Sequence, residues 1–378
     1  MLAAASVVVA VGTATGMMSA VGDGRGADEA RPAVTSSPRL EPPPVVPSPS
    51  FPPASSRSAT KPASPTAGPR KKASAKASAS GAGTERRAAP VSTRLYRHPA
   101  SQVLDWVRAH PDDPRRAVIE SRTAGRPAAV WFADRSPDSI TSRVRAVASG
   151  GAAQGRVPVL VPYAIPDRDC GGHSQGGVPD PAAYDAWIDR FAAGLGDSEA
   201  IVILEPDAIA QSECLSAGRR AARFASLARA GRALKEAGPR ARVYYDAGHS
   251  GWRAPAEQAA LLRQAGAVSA ASSDGVFSNV SHFHATADEI AYDRAVLDAL
   301  GGPPGLGAVI DTSRNGNGAP PDGAWCDPAG RKLGRPPTLS TGEAGIDAYL
   351  WVKLPGESDG CVGSPGAFTP SYAYDLAR

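Results

Sequence analysis

Ile201-Val202-Ile203-Leu204-Glu205-Pro206-Asp207 is the stretch on which the fold turns. Its first four residues form a short apolar run, as a strand buried on both faces of a parallel sheet requires. Pro206 has no N–H to extend the ladder, so Asp207 is expected just past the strand's end. A carboxylate at the rim of an apolar sheet is readily desolvated, which raises its pKa and suits it to general-acid work. An Asp in that place also serves as a turn former or helix N-cap. The rest of the chain separates the two readings.

Outward from this strand, apolar runs recur at Ala129–Phe132, Val157–Tyr163, Val243–Tyr245, Gly275–Phe277, Gly307–Ile310 and Ala348–Val352. Helical patterns lie between them. Tyr184, Trp187, Ile188, Phe191 and Leu195 share one face by i, i+3, i+4, i+7 spacing. Ala217 to Lys235 reads as a helix that Gly238-Pro239 ends. Thr286-Ala287-Asp288-Glu289 reads as a capping box opening a helix to Leu300. Strands alternating with helices predict an α/β fold with a parallel sheet and outer helices. About seven such units in one domain fit a closed or nearly closed barrel, distorted from the eight-stranded form.

Polar residues then follow the carboxyl ends of different strands: Trp131, Asp169, Asp207, Asp246, Asn279, Asp311 with Arg314, and Glu357 with Asp359. In barrel enzymes that face carries the active site. The carboxylates of Asp167, Asp169, Glu205, Asp207, Asp246, Glu357 and Asp359 are expected to converge on one cleft. Like charges brought close cannot all stay ionised, so at least one holds a proton near neutral pH. An acid beside a base is what glycosidic bond cleavage needs. The structural alternative is a network of buried salt bridges with Arg168 and Lys353. Trp131, Trp252, Trp325 and Tyr163 sit on the same rim, where indole faces stack on pyranose rings. Core packing is the plainer role for tryptophan, but strand ends beside Gly and Asp argue against it here.

The chain has 378 residues. Residues 1–27 contain an uncharged run, Leu2 to Val21, that reads as a secretory signal or an N-terminal membrane anchor. Residues 28–94 are rich in Pro, Ser, Ala and Thr with scattered Lys and Arg, the composition of a disordered extended linker. Residues 95–378 are long enough to bury one sizeable core. A formal charge of +4, much of it in the linker, and no basic stripe interleaved with aromatics exclude nucleic acid as an expected partner. The linker's basic residues are compatible with a tether at a membrane or cell wall. Export, to the medium or the cell surface, accounts for four cysteines, Cys170, Cys214, Cys326 and Cys361, as two disulfides with three connectivities possible. We expect Cys170–Cys214 and Cys326–Cys361, each closing a loop of about 35–45 residues worth about 4 kcal/mol in the chain-entropy model. No CxxC pair or HExxH helix supports zinc.

Two further motifs point elsewhere. Gly172-His173-Ser174-Gln175-Gly176 matches the G-x-S-x-G nucleophile elbow of esterases, with Asp246 and His249 or His282 downstream in triad order. The elbow needs a strand leading straight in and a helix leaving at once. Pro166 to Cys170 and Gly177 to Pro181 interrupt both, so a Gly-rich loop over the cleft is the better reading. His249, His282 and His284 match no metal-ligand spacing and are expected in hydrogen-bonding roles.

Taken together, Val130-Trp131-Phe132, Pro166-Asp167-Arg168-Asp169-Cys170, Glu205-Pro206-Asp207, Asp246-Ala247-Gly248-His249, Asp311-Thr312-Ser313-Arg314-Asn315-Gly316, Trp325-Cys326 and Trp351-Val352-Lys353-Leu354-Pro355-Gly356-Glu357 resemble glycoside hydrolase family 6, the cellulases, in the family's order. The resemblance implies a distorted seven-stranded barrel and inverting hydrolysis of β-1,4-glucan without metal or cofactor, by a monomer. It implies Asp207 as general acid. Asp169 would raise the pKa of Asp207 and relay a proton from a water that Ser174 helps to hold. Asp246 would support the acid network, and Tyr163 would assist sugar distortion. Asp359 stands at the position proposed as base. Lys353 and Glu357 would bond a glucosyl hydroxyl. Trp131, Trp252 and Trp325 would stack on the chain, with His249 and Asn279 among the substrate contacts. The family's disulfides match the pairing above. Only Gly360 separates Asp359 from Cys361, which leaves no room for a cleft-roofing insertion and implies endo action. Ser281-His282-Phe283-His284-Ala285 departs from the family's usual Ser-Asn-Tyr, polar residue, Trp, so the contacts to glucose are expected to differ there.

Overall fold

The computed structural model describes residues 93–378. The leader and most of the linker read from the sequence lie outside the described residues. Among these, no helix is long and apolar enough to cross a membrane.

The chain opens with helices α1 (Gln102–Ala109) and α2 (Arg116–Ile119), the latter running into a π turn at Glu120–Ala124. There follow β1 (Val130–Phe132), α3 (Ile140–Ala153), β2 (Val159–Pro162), α4 (Pro181–Leu195) and β3 (Ala200–Leu204). Next come α5 (Ala217–Ala237), β4 (Ala241–Asp246), α6 (Pro255–Gln264), β5 (Gly275–Ser278) and α7 (Thr286–Leu300). β6 (Gly307–Asp311), β7 (Ile346–Leu350) and α8 (Pro370–Ala377) complete the order.

All seven strands are parallel and stand in sequence order in one sheet. The β3 run is buried on both faces, as its composition demands. Ile201 and Ile203 join Val159, Val161, Phe277 and Val309 in a core drawn from the concave side of the sheet. Val202 and Leu204 pack outward against the helices, where Tyr184, Trp187, Ile188, Phe191 and Leu195 of α4 are all buried. Burying each such side chain contributes about 1.5–3 kcal/mol, which adds to the preference of Ile and Val for the pleated surface of a strand.

The sheet curls into a distorted barrel of seven parallel strands, as expected, and stops short of full closure: β1 and β7 form no ladder and meet through Ala129 N–H to Trp351 O at 2.9 Å and Trp131 Nε1–H to Val352 O at 2.8 Å. Two expectations need correction. β2 starts two residues after and ends one residue before its apolar run Val157–Tyr163, and β7 starts and ends two residues before Ala348–Val352, because Val157, Tyr163, Trp351 and Val352 are buried as loop. Thr286 to Glu289 is not a capping box. The N-cap of α7 is Ala285, Thr286 Oγ1 accepts from Asn315 at 3.1 Å, and the buried Glu289 accepts Ser250 N–H at 2.9 Å.

Candidate active site

Just past the strands' carboxyl ends the backbone takes left-handed turns at non-glycine residues: Asp167, Asp169 and Cys170 after β2, Glu205 and Asp207 after β3, Asn279 and Ser281 after β5. Such turns cost of order 1 kcal/mol each and cluster where a fold aims side chains for function. Here they open a cleft of about 820 Å³ across the mouth of the half-barrel. Trp131, Tyr163, Asp169, Ser174, Asp207, Trp252, Trp325, Lys353, Glu357 and Asp359 all line it.

Asp207 accepts no side-chain hydrogen bond from the described residues. Burial first, then the charges of Asp246, Asp169 and Asp359, hold its pKa well above the ordinary carboxylate range, with Lys353 opposing. Asp246 lies behind it, 1% exposed. Its Oδ2 accepts Ile209 N–H at 3.0 Å and Ala210 N–H at 2.8 Å, and its Oδ1 accepts Gly248 N–H at 2.9 Å. Burial raises this pKa too, but those backbone donors favour the charged form. Asp207, which lacks such donors, is therefore the more readily protonated of the two. Asp169 accepts Ser174 N–H at 2.6 Å, which ties the Gly-rich loop to the cleft. Tyr163 meets Trp131 edge to face at 5.1 Å between centroids, and the Arg168 guanidinium lies 4.5 Å over its ring.

Asp359 is clamped. Its Oδ2 accepts Arg314 Nη1 at 2.7 Å and Asp327 N–H at 3.1 Å, while Lys353 Nζ stands 3.2 Å from Oδ1. Asp327 binds the same segment from below, taking N–H groups of Asp359, Cys361 and Val362 and the Ser358 hydroxyl. Burial works against its charge, and those donors overcome it and bring Asp327 to about 2. The salt-bridge alternative is thus realised at this end of the site, through Arg314 and Lys353, and Arg168 bonds carbonyls instead. Glu357, raised by burial to about 7, accepts Gln102 Nε2 at 3.2 Å.

The structure places several expected contacts elsewhere. Glu205 is fully buried and turned from the cleft, where it accepts Ala164 and Ile165 N–H and caps the end of β2. Asp167 is exposed and pairs with Arg219 at 3.4 Å. Asn279 is buried and commits its amide to the backbone of His284 and Asp311. His249 does not line the cleft. It packs between His282 and His284, 4.2 Å from each ring centroid, and against Trp252 at 5.2 Å. Burial keeps His249 neutral, at about 2, and His282 at about 3. His249 and His284 stack face to face, with ring planes 19° apart, so their lone pairs do not converge on a metal. His282 reaches the cleft wall in place of His249. Gln102 and Gln211 line the cleft without a signal in the sequence, and Arg314, read there only as a polar residue after β6, holds Asp359. Ser174 has no histidine partner among the described residues, β2 ends at Pro162 well before it and α4 starts only at Pro181, so the nucleophile elbow is absent.

Both expected disulfides are present: Cys170–Cys214 with Cα atoms 6.0 Å apart, and Cys326–Cys361 at 5.8 Å. Cys170 adjoins Asp169, Cys326 adjoins Trp325 and Cys361 lies two residues past Asp359, all three of which line the cleft.

The family model of glycosyl hydrolases family 6 matches residues 88–373. The chain belongs to this family. It is 51% identical over 287 residues to endoglucanase 1 of Streptomyces sp. (strain KSM-9), covering 76% of this chain and 78% of the relative. It is 48% identical over 284 residues to endoglucanase A of Thermobispora bispora, covering 75% of this chain and 61% of that longer protein. Among solved structures it is similar to an endoglucanase of Mycobacterium tuberculosis in complex with methyl-cellobiosyl-4-deoxy-4-thio-β-D-cellobioside. The TM-score is 0.70 at 40% identity, over 75% of this chain and 96% of that one. An endoglucanase of Humicola insolens shares the fold at a TM-score of 0.64 and 23% identity, over 75% and 96% of the two chains.

Proposed function

We propose that this family 6 glycoside hydrolase is an inverting endo-β-1,4-glucanase, exported by its bearer and working as a monomer on soluble or amorphous glucan. The observation that carries the reading is Asp207: a cleft-lining carboxyl held in its acid form by burial and by the neighbouring Asp246. In one displacement, Asp207 gives its proton to the glycosidic oxygen as the C1–O bond breaks. Water attacks C1 from the opposite face and inverts the anomer. Asp169 and Ser174 hold that water and carry its proton toward solvent, after which Asp207 is reprotonated. Tyr163 presses on the sugar at the point of cleavage. Trp131, Trp252 and Trp325 stack on flanking units, and the 51% exposure of Trp325 suits a chain entering along an open groove. Lys353 and Glu357 bond a glucosyl hydroxyl. Asp359, engaged by Arg314 and Lys353, orders this wall.

Proton NMR of cello-oligosaccharide hydrolysis tests the reading. Fresh α-product is expected from the wild type, and Asp207→Asn is expected to lower turnover about 10²–10⁴-fold, the usual contribution of a general acid. Fresh β-product, or an undiminished variant, refutes it. Rapid viscosity loss on a soluble glucan is the matching test of endo action; slow loss with mainly cellobiose released would mean a tunnel.

A further inference from the structure

Beside the loop that carries Asp169 and Ser174 lies a second cavity, of about 620 Å³, that shares Arg168 and Gln175 with the cleft. Two guanidinium groups converge on it. A Cβ placed on Gly176 would stand 3.1 Å from Arg168 Nη2 and 3.3 Å from Arg135 Nη2. Arg168 directs Nε to Ser174 O and Nη1 to Tyr163 O and Ala133 O, which leaves Nη2 uncommitted. Arg135 has no hydrogen-bond or ion-pair partner among the described residues. Arg219 completes the lining and pairs with Asp167 on the rim at 3.4 Å, so three guanidinium charges face one carboxylate. The wall between them is fixed. Arg223 holds the carbonyls of Pro166 and Asp167 at 2.8 Å each, and the Cys170–Cys214 disulfide anchors the next turn.

Three converging like charges facing one carboxylate, itself paired with Arg219, leave Arg135 and Arg168 to repel one another, and an oxyanion between them removes that repulsion. The planar guanidinium fork matches carboxylate and phosphate geometry in particular. We propose that this pocket binds a carboxylate or phosphate oxyanion between Arg135 and Arg168, and that its occupation steadies the adjacent cleft wall. The coupling follows from Arg168, which both lies over the Tyr163 ring and bonds the Tyr163 and Ser174 carbonyls. That second half rests on the glucanase reading of the cleft. A uronate unit of an acidic polysaccharide and free inorganic phosphate present the same chemistry.

Calorimetric titration of the full chain with sodium phosphate and with sodium D-glucuronate, at constant ionic strength in chloride, tests the site. Saturable binding is expected, weakened at least about tenfold in Arg135→Ala, as loss of a charged hydrogen bond implies. Tighter glucuronate marks an acidic polysaccharide as the source, and tighter phosphate marks the free ion. Absence of saturable binding, or equal affinity in Arg135→Ala, overturns the proposal. For the coupling, saturating anion is expected to lower KM for cellotetraose at least twofold in the wild type and to leave Arg135→Ala unmoved. An unchanged wild-type KM overturns that half. Arg135→Ala without anion should turn over cellotetraose as the wild type does. Because the titration needs no turnover, a chain inactive on cellotetraose still reports on the pocket.

Discussion

The carboxylate of Asp246 accepts backbone N–H groups from Ile209, Ala210 and Gly248, whereas the carboxyl of Asp207 accepts none from the described residues. Two neighbouring acids whose charges repel share their titration, and fixed donors favour ionisation of the one that accepts them. Asp207 thus keeps its proton to higher pH than an ordinary Asp, and activity is lost on the alkaline side as that proton leaves. Asp246→Asn removes the charge that keeps it there. The alkaline limb of kcat/KM is expected to move to lower pH in this variant, and a limb that stays in place counts against the assignment. Asp359 invites the opposite experiment. Its removal strands Arg314, which is fully buried, without its partner at 2.7 Å. Breaking one side of such a pair costs about 3–5 kcal/mol. Asp359→Ala should therefore lose about that much stability in chemical denaturation, while Asp207→Asn, which relieves crowded acids, should lose none. Equal stability of the two variants would show that Asp359 is free of the clamp.

At the scale of elements, α7 carries a polar inner face. Glu289 and Asp293 are both fully buried one turn apart, and each has one carboxyl oxygen without a hydrogen-bond partner. Glu289 supports the β4–α6 loop through Ser250, and Asp293 accepts the Ser278 hydroxyl at 3.0 Å at the end of β5. Burial, then the neighbouring Glu289, pushes Asp293 well above its ordinary pKa. The sign follows from linkage. The folded chain holds this proton where the unfolded chain releases it, so stability falls as pH rises from the unfolded toward the folded pKa. Asp293→Asn cannot ionise and keeps an oxygen for Ser278. Its Tm is expected to exceed the wild type's by about 2–4 °C at pH 8, a gain of order 1 kcal/mol, and by little at pH 4. An equal difference at both pH values would assign the effect to packing instead of charge.

Across the whole molecule, the two disulfides secure loops that carry cleft residues, one joining the segments after β2 and β3 and one joining those after β6 and β7. Cys326–Cys361 closes a separation of 35 residues. The chain-entropy model gives that closure about 4 kcal/mol. Replacing both cysteines by serine should lower unfolding free energy by about that amount. At low temperature, turnover should survive, because Asp207, Asp246 and Asp169 sit on other loops. Loss of turnover in a still-folded variant would show that this loop contributes directly to the chemistry.

What could be read in the sequence was local. Ile201–Leu204 had to be a strand buried on both faces, and Pro206 had to end it, because composition and the missing N–H act within a few residues. The face of α4 followed from spacing for the same reason. Contacts between distant segments carried no such mark. Glu205 and Asp207 look alike in the chain, yet consecutive left-handed turns send one under β2 and the other into the cleft. Asn279 and His249 have the chemistry of sugar contacts, but backbone groups from β6 and rings after β5 claim them first. Gln102 reaches Glu357 from 255 residues away. The sequence by itself determined the seven strands, the helices α4, α5 and α7, and a carboxyl just past the end of β3. Only the tertiary structure decided which polar groups face the cleft, because each buried donor and acceptor is satisfied by whatever the curled sheet brings beside it.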